Sequence, residues 1–177
     1  MQEVIIAGFG GQGILSMGRM LAYAGLHDGK SVSWLPSYGP EMRGGTANCN
    51  VIISETEVGS PIISKATALI VMNQPSLEKF EKNVIPGGII ISDSDLVPVK
   101  TNRTDVSHYE IPATKIAYEM GNSTYAGIIL LGKLIGETKA VSESNFEEAL
   151  KSVLPQKYYH MIPDEMVALK KGISFSA

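Results

Sequence analysis

"VIIAGFGGQGILSMGRMLAYAG", residues 4–25, carries the reading of the fold. Its first four residues are apolar without interruption, the pattern of a strand buried on both faces. Gly8, Gly10 and Gly13 then follow with G-x-G-x-x-G spacing. Beyond them the period changes, and Ile14, Met17, Gly18, Leu21, Ala24 and Gly25 fall on one face of a helix. The small residues on that face let the helix lie close to a sheet, and Gly29 supplies a stop. Strand, glycine turn and helix in this order make a Rossmann-like opening unit.

Residues 31–35 read as a second strand closed by Pro36, and residues 47–54 as a third. No crossover helix fits between them, so the sheet is mixed at that point. After a turn at residues 55–57, residues 58–63 read as a strand pairing back in a hairpin. Residues 68–72 (ALIVM) form a fourth strand, and Pro75 opens a short helix with Leu77 and Phe80 inward. Pro86-Gly87-Gly88 reads as a break before a fifth strand at residues 89–91, which ends at Ser92-Asp93. A sixth strand is expected within residues 105–111. Ile116, Ala117 and Met120 mark a helix stopped by Gly121-Asn122. Residues 126–135 are apolar nearly all round, the pattern of a helix either buried in the core or covered by a partner. Ser142 or Ser144 caps the next helix, which turns Phe146, Leu150 and Val153 inward. A last helix is expected at residues 164–171, stopped by Gly172. Residues 1–177 therefore read as one α/β domain, a three-layer sandwich with a mostly parallel, partly mixed sheet.

The composition is globular, with 44% hydrophobic and 19% charged residues and a net charge of −3. No basic run suggests nucleic acid or a lipid surface as partner. The apolar run at residues 126–135 contains Lys133 and is too short to span a bilayer. Met-Gln-Glu leads straight into the first strand, so a cytoplasmic protein without a signal peptide is expected. Cys49 is the single cysteine; it excludes an intramolecular disulfide and a four-cysteine zinc or iron–sulfur site supplied by this chain alone. Its apolar setting reads as burial. His27, His108 and His160 have no ligand spacing, so no metal site is read from them.

The glycine turn supports three readings. It is a tight strand–helix corner, or a site for a second ligand or an interface, or an NAD(P) fingerprint. The helix N-terminus behind Gly10, Gly11, Gln12 and Gly13 favours an anion. A dinucleotide site also needs an acid after the second strand to hold the ribose. Here that strand ends Trp34-Leu35-Pro36-Ser37-Tyr38, and the nearest acid, Glu41, lies inside a loop rich in proline and glycine. This loop is the second candidate: Ser37, Tyr38, Gly39, Pro40, Glu41, Arg43, Gly44 and Gly45. Glu41 and Arg43 can pair with each other, or Arg43 can hold a carboxylate or phosphate in its guanidinium fork. Gly44-Gly45 permits close approach of another backbone. Both loops are expected at the carboxyl ends of strands, where open α/β sheets gather ligands. Asn73, after the fourth strand, is a candidate for the same edge; a helix cap explains it as well.

"GFGGQG" (8–13), "SYGPEMRGG" (37–45), "MNQPSLEKF" (72–80) and "PGGIIISDSDLV" (86–97) resemble the gamma subunit of 2-oxoacid:ferredoxin oxidoreductases. The resemblance is strongest over residues 1–135, and the paired loops at this separation are what make it specific. "GPEMRGG" is more similar to the 2-oxoglutarate and branched-chain 2-oxoisovalerate members than to the pyruvate or indolepyruvate members. Pro163-Asp164 departs from the family, which often has asparagine before its last helix. The resemblance implies oxidative decarboxylation of a 2-oxoacid with coenzyme A, giving an acyl-CoA and carbon dioxide, with electrons passed to ferredoxin. It implies a complex using thiamine diphosphate, magnesium, iron–sulfur clusters and coenzyme A. The partners implied are an alpha subunit, a thiamine-bearing beta subunit and a ferredoxin-like delta subunit. This chain has no Gly-Asp-Gly thiamine signature and too few cysteines for a cluster. No cofactor is therefore expected on it alone, and no catalytic residue is assigned within it. Its two loops are expected to pack against the thiamine-bearing subunits and close the active site. In isolation it is open to self-association. Two other readings stand beside it: a stand-alone nucleotide- or NAD(P)-binding enzyme, and a pure scaffold whose glycine loops only fit a partner.

Overall fold

The glycine turn leaves an inner strand of the sheet. A computed structural model describes residues 1–37 and 46–176. Within them β1 (Gln2–Phe9), β2 (Ser31–Pro36), β3 (Thr46–Ser54), β4 (Ala66–Val71), β5 (Val84–Asp93) and β6 (Ser107–Ile111) form a sheet ordered β2-β3-β1-β4-β5-β6. β1, β4, β5 and β6 are parallel, while β3 runs antiparallel to both β1 and β2. The mixed point is where the missing crossover helix places it. The helices are α1 (Ile14–His27), α2 (Gln74–Phe80), α3 (Ala113–Glu119), α4 (Tyr125–Thr138), α5 (Glu143–Val153) and α6 (Ile162–Ser174).

Two apolar cores follow from the strand alternation. Val4 and Ile6 of β1, Ala68 and Ile70 of β4 and Ile91 of β5 face the larger core, with α1, α4, α5 and α6 behind it. Ile5, Leu69, Val71 and Ile90 face the opposite way, under α2 and flanking loops. The face of α1 read from the sequence is buried as expected. It lies so near the sheet that a Cβ on Gly18 would stand 2.5 Å from Cys49 Sγ, and one on Gly25 would stand 2.8 Å from Val32.

The apolar helix α4 is buried within this chain: Tyr125 through Ile135 are all inaccessible. It crosses α6 at glycines. A Cβ on Gly132 would strike the Leu169 carbonyl oxygen, and one on Gly172 the Ile129 carbonyl oxygen. Gly172 therefore does not stop α6, which continues to Ser174; the glycine is there for the close approach. Lys133, buried among these helices, is held by Glu137 Oε1 (2.6 Å) and the Phe175 carbonyl (2.9 Å) and lies over the Tyr109 ring.

Two further expectations are corrected. Residues 58–63 form no strand; Val58 and Ile63 instead plug the smaller core as a loop. Their apolar character reflects burial, not ladder pairing. Pro86-Gly87-Gly88 is not a break before the fifth strand either. β5 runs through it as a bulge, with pairing shifting from Ala66↔Val84 to Ala68↔Ile89 and Gly87 at φ 80°. The remaining boundaries agree closely, and Ser142, not Ser144, caps α5 by accepting from Asn145 N–H. Among the described residues no helix is long and apolar enough to cross a membrane.

Candidate functional site

The chain leaves β1 toward β2 through α1, and later β4 joins the other side of β1. This is the place in an open α/β sheet where connections diverge and a crevice opens at the carboxyl ends. The glycine turn sits there. Gly11 and Gly13 take left-handed conformations, φ 90° and 79°, which L side chains rarely adopt. Gln12 fastens the turn. Its Oε1 accepts from the Phe9 amide (2.6 Å) and its Nε2 donates to the Met72 carbonyl at the end of β4 (3.0 Å). Gly8 leaves room for this clasp, since a Cβ there would meet Gln12 Oε1 at 2.5 Å.

The two ends of the second candidate loop lie on the same rim. Ser37 N–H donates to the Asn48 carbonyl (2.9 Å), and Thr46 pairs with Phe9 at the very end of β1. Tyr38, Gly39, Pro40, Glu41, Arg43, Gly44 and Gly45 lie outside the described residues. Asn73 follows β4 and caps α2, its Oδ1 accepting from Ser76 N–H (2.8 Å). Thus Gly10 to Gly13, Ser37 and Asn73 share one edge, with Asn73 in the capping role.

Below the glycine turn lies a cavity of about 750 Å³ that reaches from Gly11–Gly13 to α6. Its walls are methionine-rich: Met17 and Met20 from α1, Met72 just past β4 and Met161 from the 3-10 turn at Gln156–Met161. Glu165, in the first turn of α6, is 4% exposed, lines this cavity, and has no partner for Oε2. Burial pushes its carboxyl up to about 7. The sequence reading missed Glu165. Its signal was present: Ile162, Glu165, Leu169 and Gly172 share the buried face of α6, so an acid stands in an apolar register. The methionines were legible only as core positions, because their convergence is tertiary.

Cys49 is buried, with Sγ donating to the Ile14 carbonyl (3.6 Å), and burial pushes its thiol up to about 12. One thiol cannot supply the four ligands of a cluster. Among the described residues no group of His, Cys, Asp and Glu is arranged to hold a metal. The donor set here does not fit an iron–sulfur cluster. Asp93, also fully buried, is accounted for structurally: it accepts from Thr114 Oγ1 (2.6 Å) and the Thr114 amide at the start of α3, and from the Asp95 amide in the turn after β5.

The family model for pyruvate ferredoxin/flavodoxin oxidoreductase matches residues 3–175. The chain belongs to that family. It is 44% identical over 151 residues to ketoisovalerate oxidoreductase subunit VorA of Methanothermobacter thermautotrophicus, a match covering 84% of this chain and 31% of the relative. The chain thus spans about a third of the length of that relative. It is 36% identical over 158 residues to 2-oxoglutarate synthase subunit KorC of Methanocaldococcus jannaschii, covering 88% of this chain and 84% of the relative. The fold matches the gamma subunit of a keto/oxoacid ferredoxin oxidoreductase from Geobacter sulfurreducens, with a TM-score of 0.82 and 28% identity over 98% of this chain and 96% of that one. The family accords with the topology. An NAD(P) site is not favoured, because antiparallel β3 stands between β1 and β2 and removes the second strand's carboxyl end from beside the glycine turn.

Proposed function

We propose that this chain is the gamma-type subunit of a heteromeric 2-oxoacid:ferredoxin oxidoreductase, and that it supplies a docking rim in place of a redox centre. The observation that carries the reading is the gathering of the glycine turn, the Gln12 clasp and both anchors of the second loop at one edge. In this reading the thiamine diphosphate, magnesium, iron–sulfur clusters and coenzyme A of the reaction are held by alpha, beta and ferredoxin-like delta partners, in the cytoplasm. Thiamine diphosphate supplies the carbanion chemistry when bound to its own subunit. This chain's contribution is to bind and orient that subunit and to exclude water from its active site. Residues 37–45 meet the partner, with Glu41 and Arg43 pairing across the interface or Arg43 meeting an anionic group of substrate or coenzyme A. The substrate is 2-oxoglutarate or the branched-chain 2-oxoisovalerate, in keeping with both groups of relatives.

The test is reconstitution with the partner subunits. Acyl-CoA formation is followed with each of the two 2-oxoacids, together with the assembly state by size-exclusion chromatography. Arg43→Ala is expected to slow turnover or split the complex. Unchanged turnover with unchanged assembly rejects the role given to the loop. Activity of this chain without partners rejects the subunit reading altogether.

A further inference from the structure

The cavity below the glycine turn holds three features that a packed core does not retain without use. It is large enough for a small organic ligand, at about 750 Å³. Its wall includes Glu165, a side chain 96% removed from solvent (4% exposed) whose Oε2 meets no donor or acceptor. An orphaned buried polar atom costs stability unless something completes it. The N-terminus of α1, a helix of 14 residues, borders the same space through Gly13 and Ser16. No side chain caps that end. Met17 makes the first amide bond back to Gly13 (2.9 Å), so the amides of Ile14, Leu15 and Ser16 precede the intrahelical ladder.

These features select a ligand chemistry. Open amides and the positive end of the α1 dipole call for an acceptor. A protonated carboxyl at Glu165 is a donor and calls for the same; an ionised one would repel an anion. Methionine walls adapt to a branched or linear apolar body. We propose that the cavity is a binding site for a small monocarboxylate with an apolar tail, whose head group takes a hydrogen bond from the Glu165 carboxyl and faces the uncapped start of α1. Binding then draws a proton onto Glu165, as two carboxyl groups sharing one proton do. The other titratable groups near Glu165 are Asp164 in the same turn, Tyr125 from α4 and Tyr158 from the 3-10 turn. α1 brings Ser16, Met17 and Met20 to the wall, and the end of α5 is followed there by Leu154, none of them titratable.

The experiment uses the full chain alone, so its outcome does not depend on the partner subunits of the proposed complex. Sodium 4-methylpentanoate and 4-methylpentylamine are titrated by calorimetry between pH 5.5 and 8.5 into the wild type and Glu165→Gln. The carboxylate is expected to bind, and to weaken about tenfold per pH unit once pH passes about 7. Glu165→Gln, which keeps a donor but cannot titrate, is expected to bind with no such slope; subtraction of its profile removes the contribution of Asp164 and the tyrosines. Methyl NMR of methionine-labelled wild type needs no variant, and is expected to show shifts at Met17, Met20, Met72 and Met161. Failure of the carboxylate to bind at millimolar concentration overturns the proposal. So does binding of the amine instead, equal pH slopes in the two proteins, or methionine signals that stay unmoved.

Discussion

Glu165 makes folding itself sensitive to pH, and the sign follows from where its proton is held. In the unfolded chain the carboxyl titrates near 4.5; in the folded chain burial moves it to about 7. Between those values the native state binds the more protons, so stability falls as pH rises through the window and levels off above it. With about 1.4 kcal/mol for each unit of separation, the loss from Glu165 is about 1 kcal/mol at pH 5 and about 3 kcal/mol at pH 8. Glu165→Gln removes this term. The variant is therefore expected to gain about 2 kcal/mol relative to wild type between pH 5 and pH 8. Asp93, raised by burial, also favours the acid side, while Asp28 and Glu137, both lowered, favour the alkaline side. These groups are common to both proteins and cancel in the difference. Urea unfolding followed by the fluorescence of Trp34, the single tryptophan, gives the four free energies. If wild type and variant change in parallel from pH 5 to pH 8, Glu165 does not hold its proton in the native state and the reasoning fails.

At the α4–α6 crossing, Gly132→Ala gains about 1 kcal/mol of helix propensity. Its Cβ meets the Leu169 carbonyl, which cannot rotate away; a net loss of about 2 kcal/mol in urea unfolding is expected from overpacking. Gln12→Ala releases two hydrogen bonds at the glycine turn. About 1–2 kcal/mol of stability should go with them, and the Phe9 amide should exchange with solvent faster than in wild type. Cys49, buried and with its thiol pushed up to about 12, should resist iodoacetamide at pH 8 in the folded chain and react within minutes in urea.

Local pattern made most of the fold legible. Uninterrupted apolar runs announced β1 and β4, and the change of period after Gly13 announced α1, because each signal lies within a few neighbouring residues. The absent crossover before β3 even foretold the antiparallel neighbour. Residues 58–63 failed for an instructive reason: Val58 and Ile63 at the two ends of a loop fill the core as strand residues would, and only the location of the neighbours tells them apart. Gly172 failed similarly. A glycine read as a helix stop was needed for the approach of a helix forty residues earlier in the chain, which no local pattern records. The site divides along the same line. Gly11, Gln12 and Gly13 were visible in the motif, whereas the Met72 acceptor, the Met161 wall and Glu165 reach the cavity from distant segments.

The antiparallel strand explains how a glycine turn of dinucleotide type is put to another use. In a dinucleotide fold the second strand lies beside the first, and its carboxyl end offers an acid to the ribose. Here Phe9 is paired with Thr46, and Cys49 with Pro36, so the start of β3 stands where the end of the second strand would be. The connection leaving β2 must therefore return to the end of β1, and both of its anchors stand on the rim that carries Gly11 and Gly13. The same step withdraws the ribose partner and leaves the α1 N-terminus open toward the cavity that ends at Glu165. A chain built this way keeps the anion-favouring corner, while an NAD(P) site is not favoured. If an acid is introduced by Leu35→Asp at the end of β2, NAD(H) affinity should not appear, because that position is separated from the glycine turn by the whole width of β3.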